Sequence, residues 1–238
     1  MPPPIKILLY VAIWRRPEIT RLHMENVRRL VEYDPARFEI TPFYVVSEDW
    51  AETMCKEFGF RFHRTDNDPL GRKMNEGLRQ FINEPHGFLI GMGSDDFVEP
   101  DFLNEYLPYF ETRPIFGLKE VHLINEVNGM VKRCVVDRGC FGALRVIRWD
   151  LLQEAAFDGE RFIGIWNDTQ QRALDYVSSS NIKARTGHFV YPVQIETILF
   201  DLKNEVNINS FEMVEGVRVR LTIENIPKEL HYLFNENH

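Results

Sequence analysis

Two adjacent carboxylates end an apolar run. In FLIGMGSDDFVEP, from Phe88 to Pro100, Asp95 and Asp96 stand behind a glycine and a serine. Neighbouring like charges repel, and partial burial strips each of its hydration. The pair reads either as a turn after a strand, with one aspartate capping a helix near Pro100, or as a site for a divalent cation. Mg2+ and Mn2+ are hard ions that take carboxylate oxygens together with water and phosphate oxygens. A cation at the pair would offset the repulsion.

Elements that could position such a site alternate along the first half of the chain. IKILLYVAI is a continuous apolar run, as expected of a strand covered on both faces. From Pro17 the apolar residues Ile19, Leu22, Val27, Leu30 and Val31 recur at helical spacing, and proline suits a first turn. FEITPFYVV gives a second strand, and residues 47–49 offer N-caps for a helix over WAETMCKEFG. RFHRT reads as a third strand, residues 71–83 as a helix, FLIGM as a fourth strand, and PDFLNEYLPYF as a helix. Such alternation predicts an α/β fold with a mostly parallel, Rossmann-like sheet flanked by helices. Ligands of these sheets bind at the carboxyl ends of the strands, which here carry residues 14–16, 47–49, 66–68 and 94–96.

The second half differs. Asn128-Gly129 between β-rich flanks predicts a hairpin. RGCFGALRVIR reads as a strand, WDLLQEAAF as a helix, and NDTQQRALDYV as another, for which Asp168 is an N-cap candidate. Past residues 178–180 the pattern turns strand-like and irregular, with a short helix at PKELHYLF. A single domain over 1–238 is expected, dividing near residue 100, with a smaller antiparallel or irregular C-terminal part.

Composition narrows the classes. The chain has 238 residues, 44% hydrophobic and 27% charged, within the ordinary globular range. A net charge of −8 argues against a surface coated for nucleic acid, although 28 Lys and Arg allow a local basic groove to which Arg15, Arg16, Arg72 and Lys73 could contribute. Cys55, Cys134 and Cys140 match no zinc or redox spacing, which fits buried thiols in a reducing cytoplasm. No run approaches the ~18 apolar residues of a membrane span, and MPPPIKILLYVAIW reads as a core strand rather than a leader.

The segment around Asp95 and Asp96 resembles the aspartate motif of GT-A glycosyltransferases, especially the inverting family 2, with Gly93 where that pattern has its leading aspartate. Other segments line up in order. KILLYVAIWRRPE is similar to the strand and loop that hold the nucleotide base. VVSEDW offers Glu48 or Asp49 to base or ribose, and DPLGRKMNEGL is similar to the glycine-arginine-asparagine segment. RGCFGALRVIRWDLLQEAAFDGERFIGIWNDTQQRAL resembles the acceptor region, with F-D-G-E-R-F close to "FDERF" and Asn167-Asp168 in place of the "ED" pair. The resemblance covers roughly residues 5 to 175 and implies a nucleotide-sugar-binding half over about 1–100 and an acceptor-binding half over about 101–238.

It implies sugar transfer from a nucleoside-diphosphate sugar, UDP-linked, to an acceptor hydroxyl with inversion, assisted by Mn2+ or Mg2+. Asp96 and Asp95 would hold the metal, with His188 a third candidate. Ile13, Trp14, Arg16, Glu48, Lys73, Asn75, Ser94 and Asp95 would bind the nucleotide sugar. Asp168 would be the catalytic base, with Trp166 and Asn167 at the acceptor. Asp201 and Lys203, in LFDLK, are candidates to close over the donor. The acceptor stays open among a glycan, a lipid-linked glycan reached from the membrane surface, and modified nucleic acid. One rival is a nucleotidyltransferase, but IWRRPEI lacks its glycine- and lysine-rich loop. The other is a catalytically silent nucleotide-sugar or carbohydrate-binding module.

Overall fold

The computed structural model describes residues 2–137, 139–204 and 211–235. In chain order these form β1 (Ile5–Ala12), α1 (Pro17–Glu32), β2 (Phe38–Val46), α2 (Asp49–Phe58), β3 (Arg61–Arg64), α3 (Leu70–Arg79) and β4 (Phe88–Gly93). There follow β5 (Asp96–Val98), α4 (Phe102–Thr112), β6 (Ile115–Leu118), β7 (Glu120–Asn125), β8 (Val131–Val135), β9 (Arg145–Arg148) and α5 (Trp149–Ala156). The short β10 (Phe157–Asp158) and β11 (Arg161–Phe162) precede α6 (Leu174–Thr186), β12 (Tyr191–Val193), β13 (Leu199–Lys203), β14 (Val217–Val219) and α7 (Tyr232–Asn235).

Seven strands make the main sheet, in the order β12-β6-β9-β4-β1-β2-β3. All its pairs are parallel except those of β9, which is antiparallel to both neighbours. β1 lies inside this sheet, and side-chain alternation splits its residues between two layers. Ile7, Leu9 and Val11 pack with Met24, Val27 and Leu30 of α1. Leu8 and Tyr10 pack with Leu78 and Phe81 on the α3 side. Both faces are therefore dry, which is why the run shows no polar alternation.

A second sheet, β14-β8-β7-β13-β5, is mostly antiparallel and includes the expected hairpin of β7 and β8. Asp95 and Asp96 sit where the chain leaves the first sheet at Gly93 and enters the second at Asp96. The free edge of β5 is held by α1. His23 Nδ1 lies 2.9 Å from the Asp96 carbonyl, while Asn26 donates to Val98 O (3.0 Å) and accepts from Val98 N (3.2 Å).

Four local expectations fail for identifiable reasons. The helix expected from residue 167 starts at Leu174, because residues 167–171 are committed to the start of α3. Gly71 N donates to Gln170 O (2.9 Å) and Leu70 N to Gln171 Oε1 (3.0 Å). Asp168 therefore caps no helix. The chain past residues 178–180 stays helical to Thr186 and stops at Gly187, whose φ of 75° favours glycine. No side chain from residues 47–49 caps α2, since the Glu48 carboxylate accepts from Arg15 N (2.7 Å) instead. Of the strand expected over residues 138–148, only Arg145–Arg148 is extended, because Leu144 takes a left-handed turn with φ 54°; Arg138 lies outside the described residues. Cys55 and Cys134 are buried thiols, and Cys140 is half-buried. Among the described residues no helix is long and apolar enough to cross a membrane.

Candidate functional site

A cavity of about 770 Å³ opens over β1 and β4 and reaches the acid pair. Its floor is open because β4 carries Gly91 and Gly93. An added side-chain carbon at Gly93 would meet Asp95 Oδ1 at 2.8 Å and Asp96 Oδ2 at 3.0 Å. The glycine that departs from the family pattern thus makes room for the two acids behind it.

Antiparallel pairing sets Asp201 of β13 directly opposite Asp96 of β5, on one face of the second sheet. Ligand oxygens of Asp95, Asp96 and Asp201 all lie within 4.8 Å of one another. Asp96 is 3% exposed, and its Oδ2 accepts from Gly93 N (2.5 Å). Burial, then Asp201 and Asp95, hold its carboxyl well above the ordinary carboxylate range. Burial and the Asp95 charge push Asp201 up to about 6, against the pull of Lys203. Asp201 Oδ2 pairs with Lys203 Nζ at 2.7 Å, while its buried Oδ1 has no hydrogen-bond partner among the described residues. Burial lowers the Lys203 pKa, but Asp201 and Asp95 outweigh it, so the ammonium is held above its usual value.

Arg16 approaches from the loop after β1. Arg15 and Arg16 both adopt left-handed backbone, with φ of 59° and 57°. Each costs a non-glycine residue about 1 kcal/mol or more. The turn aims the Arg16 guanidinium at Asp95 Oδ2 (3.1 Å), Leu202 O (3.0 Å) and Glu126 Oε2 (3.1 Å). Arg15 instead lies over the Trp14 ring, 4.1 Å from its centroid. Trp14, Arg16, Ser94, Asp95, Asp96, Asp201 and Lys203 all line the cavity.

Other predicted residues are placed differently. Lys73 points away from the cavity. Its fully buried ammonium donates to Ile13 O (2.5 Å), Ser47 Oγ (3.2 Å) and Asn67 Oδ1 (2.9 Å), tying together the carboxyl ends of β1, β2 and β3. Burial brings its pKa down to about 8. It is therefore a tie inside the fold, not a cation presented to phosphate. Ile13 is wholly buried and offers the site only its backbone. Glu48 is spent on the Arg15 turn.

Asn75 is a buried anchor. Its Nδ2 donates to Trp166 O (2.8 Å) and Asp168 Oδ1 (2.6 Å), and its Oδ1 accepts from Ile165 N (3.1 Å) and Trp166 N (3.2 Å). Gly164, at φ 68°, leaves space that a side chain would take from Asn75. The anchor presents Trp166 to the cavity, stacked on Tyr10 with centroids 5.9 Å apart. Asp168 is exposed beside this anchor, at the end of the sheet where α3 begins, and does not line the cavity. Asn167 folds onto its own loop, its Oδ1 accepting from Thr169 N (3.0 Å).

His188 does not join the acids. It is exposed and stands three residues before β12, whose first residue pairs with Phe116 near the start of β6. That is the amino edge of the sheet, and the described acid cluster contains no histidine. Sequence reading missed Glu126, which orients Arg16, and two further cavity residues, Arg145 and Asp175. Asp201 was signalled by alternation in LFDLK, which buries Phe200 and Leu202 and turns Asp201 and Lys203 to the other face.

No protein-family model matches the sequence, and no curated protein does. Solved structures do match. The crystal structure of residues 1–349 of S. aureus TarS has a TM-score of 0.54 at 12% identity, covering 83% of this chain and 60% of that one. The same piece in complex with UDP-GlcNAc gives 0.55 at 14% identity, covering 85% and 60%. A TarS structure without that residue range gives 0.51 at 12% identity, covering 96% of this chain and 39% of that one. This chain thus spans about 60% of the length of the 1–349 piece and 39% of the longer chain. The likeness is one of fold, a GT-A-like Rossmann arrangement.

Proposed function

We propose that the chain is a glycosyltransferase, moving a sugar from a UDP-linked donor to an acceptor hydroxyl with inversion. The observation that carries this reading is the Asp95, Asp96 and Asp201 cluster facing a large cavity at the carboxyl edge of a mostly parallel sheet. The fold neighbour TarS has been solved in complex with UDP-GlcNAc and with UDP, which supports a nucleotide-sugar donor.

The donor set suits Mn2+ or Mg2+, since three carboxylates converge and the Asp201 Oδ1 atom is buried without a partner. Asp96, Asp95 and Asp201 would hold the ion, which when bound neutralises charge gathering on the leaving diphosphate. Arg16 and Lys203, already at the cluster, add positive charge for the same oxygens. The acceptor oxygen attacks the anomeric carbon, the bond from that carbon to the diphosphate oxygen breaks, and a carboxylate takes the hydroxyl proton. Asp168 fills the last role, held by Asn75 and next to the Trp166 platform. A second reading gives that role to Asp175, which lines the cavity in the first turn of α6.

A panel of UDP-sugars with Mn2+ tests the proposal, the product being followed by NMR at the anomeric proton. Transfer or donor hydrolysis that chelator abolishes, with an inverted product, is expected. Retention would remove the single-displacement scheme and its base. Binding without turnover would favour a silent carbohydrate-binding module.

A further inference from the structure

The far end of the cavity contains a buried positive charge with neutral hydrogen-bond partners. Arg145 is 5% exposed and borders the cavity. Its guanidinium donates to Asp175 O (2.8 Å), Ser178 Oγ (3.3 Å) and Phe141 O (3.4 Å), and among the described residues its buried Nε has no partner. Among the described residues it forms no ion pair within 4 Å. A buried cation without a counter-charge is costly unless something completes it. Positive potential is added by α6, a 13-residue helix that starts here with Leu174, Asp175 and Ser178 on the cavity wall. No side chain caps that start. Arg172 also lines the wall. Against two arginines and a helix end stand two acids, Asp175, packed beside Gly142, and Asp68, whose carboxylate accepts from Gln171.

The sheet fixes where this end lies. Arg145 of β9 pairs with Gly91 of β4, two residues before Gly93. At about 3.4 Å per strand residue Gly91 lies about 7 Å from Gly93 along β4, a span comparable to one sugar ring. The space over Gly91 is open: an added side-chain carbon there meets nothing closer than Gly142 O at 4.0 Å.

We infer that the Arg145 end of the cavity recognises a carboxylate or phosphate carried by a sugar substrate. The group belongs either to the transferred sugar, one ring from the diphosphate, or to the acceptor. The inference rests on the nucleotide-sugar reading of the acid cluster for the donor arm alone.

Calorimetric titration of the full chain with Mn2+ compares UDP-glucuronate with UDP-glucose, which differ only in a carboxylate for a hydroxymethyl. Methyl glucuronide and methyl glucoside, added with and without UDP, form the acceptor arm. A charge-assisted contact predicts at least about tenfold tighter binding of the acidic member in one arm. The preference should disappear in Arg145→Gln and weaken in Gly91→Ala, which narrows the open floor opposite Arg145 in the strand register without touching its charge. UDP titrated into each variant reports whether the cavity has survived. Equal binding of acidic and neutral members in both arms would overturn the inference, whether or not UDP binds. Failure of UDP to bind, with an Arg145-dependent preference for methyl glucuronide, would remove the nucleotide-sugar reading and leave this one standing.

Discussion

Two polar constellations flank the same cavity and are built on opposite terms. Around Asn75, four hydrogen bonds account for both side-chain atoms, and the loop at residues 164–168 is fixed by them. Around Asp96, three carboxylates crowd together, two with raised pKa values, and the Asp201 Oδ1 atom is left without a partner. The first arrangement is complete within the protein. The second is eased by protonation, which the raised pKa values favour, or by added positive charge, part of which Arg16 and Lys203 supply. A satisfied network builds structure, whereas an unsatisfied one of like charge indicates a ligand.

The comparison can be broken at its satisfied side first. Asn75→Ala orphans the buried N–H groups of Ile165 and Trp166 and should cost about 3 kcal/mol of stability in urea unfolding. A cost near zero would mean that the anchor is not what fixes the loop. Asp168→Asn keeps the shape of the side chain held by Asn75 but removes its basicity. Turnover should fall by at least about 10², with donor affinity unchanged. If Asp175→Asn shows that fall instead, the base is the acid on the cavity wall.

Lys73 sharpens the contrast between kinds of buried cation. Its folded pKa, about 8, lies below the ordinary lysine value of 10.5, so the native state binds fewer protons than the unfolded chain between these limits. Stability should therefore rise with pH through that window, by about 3 kcal/mol relative to Lys73→Met. Urea unfolding at several pH values measures this, and a flat difference would mean that the ammonium stays charged when buried.

Much of this was legible in the sequence because it rests on local signals. Apolar runs, Pro17 and the Asn128-Gly129 turn marked most elements, and the strand ends pointed to the carboxyl edge. Asp95 and Asp96 stood out because their repulsion is a contiguous feature. What escaped depends on distant pairing. Asp201 meets Asp96 only through strand register across about half the chain, and Arg145 reaches the cavity by pairing with Gly91. Lys73 misled because a lysine following Gly71-Arg72 gives no sign that three acceptors converge to bury it. His188 misled because the order of β12 next to β6 puts it at the wrong edge.

The most direct measurement is a calorimetric titration of Mn2+ into the protein with and without UDP, for the wild type and for Asp201→Asn. The account predicts that each ligand tightens the other at least about tenfold in the wild type, and that the coupling is lost in the variant. UDP binding to the wild type of equal strength in Mn2+ and in EDTA, or coupling retained in Asp201→Asn, would contradict it.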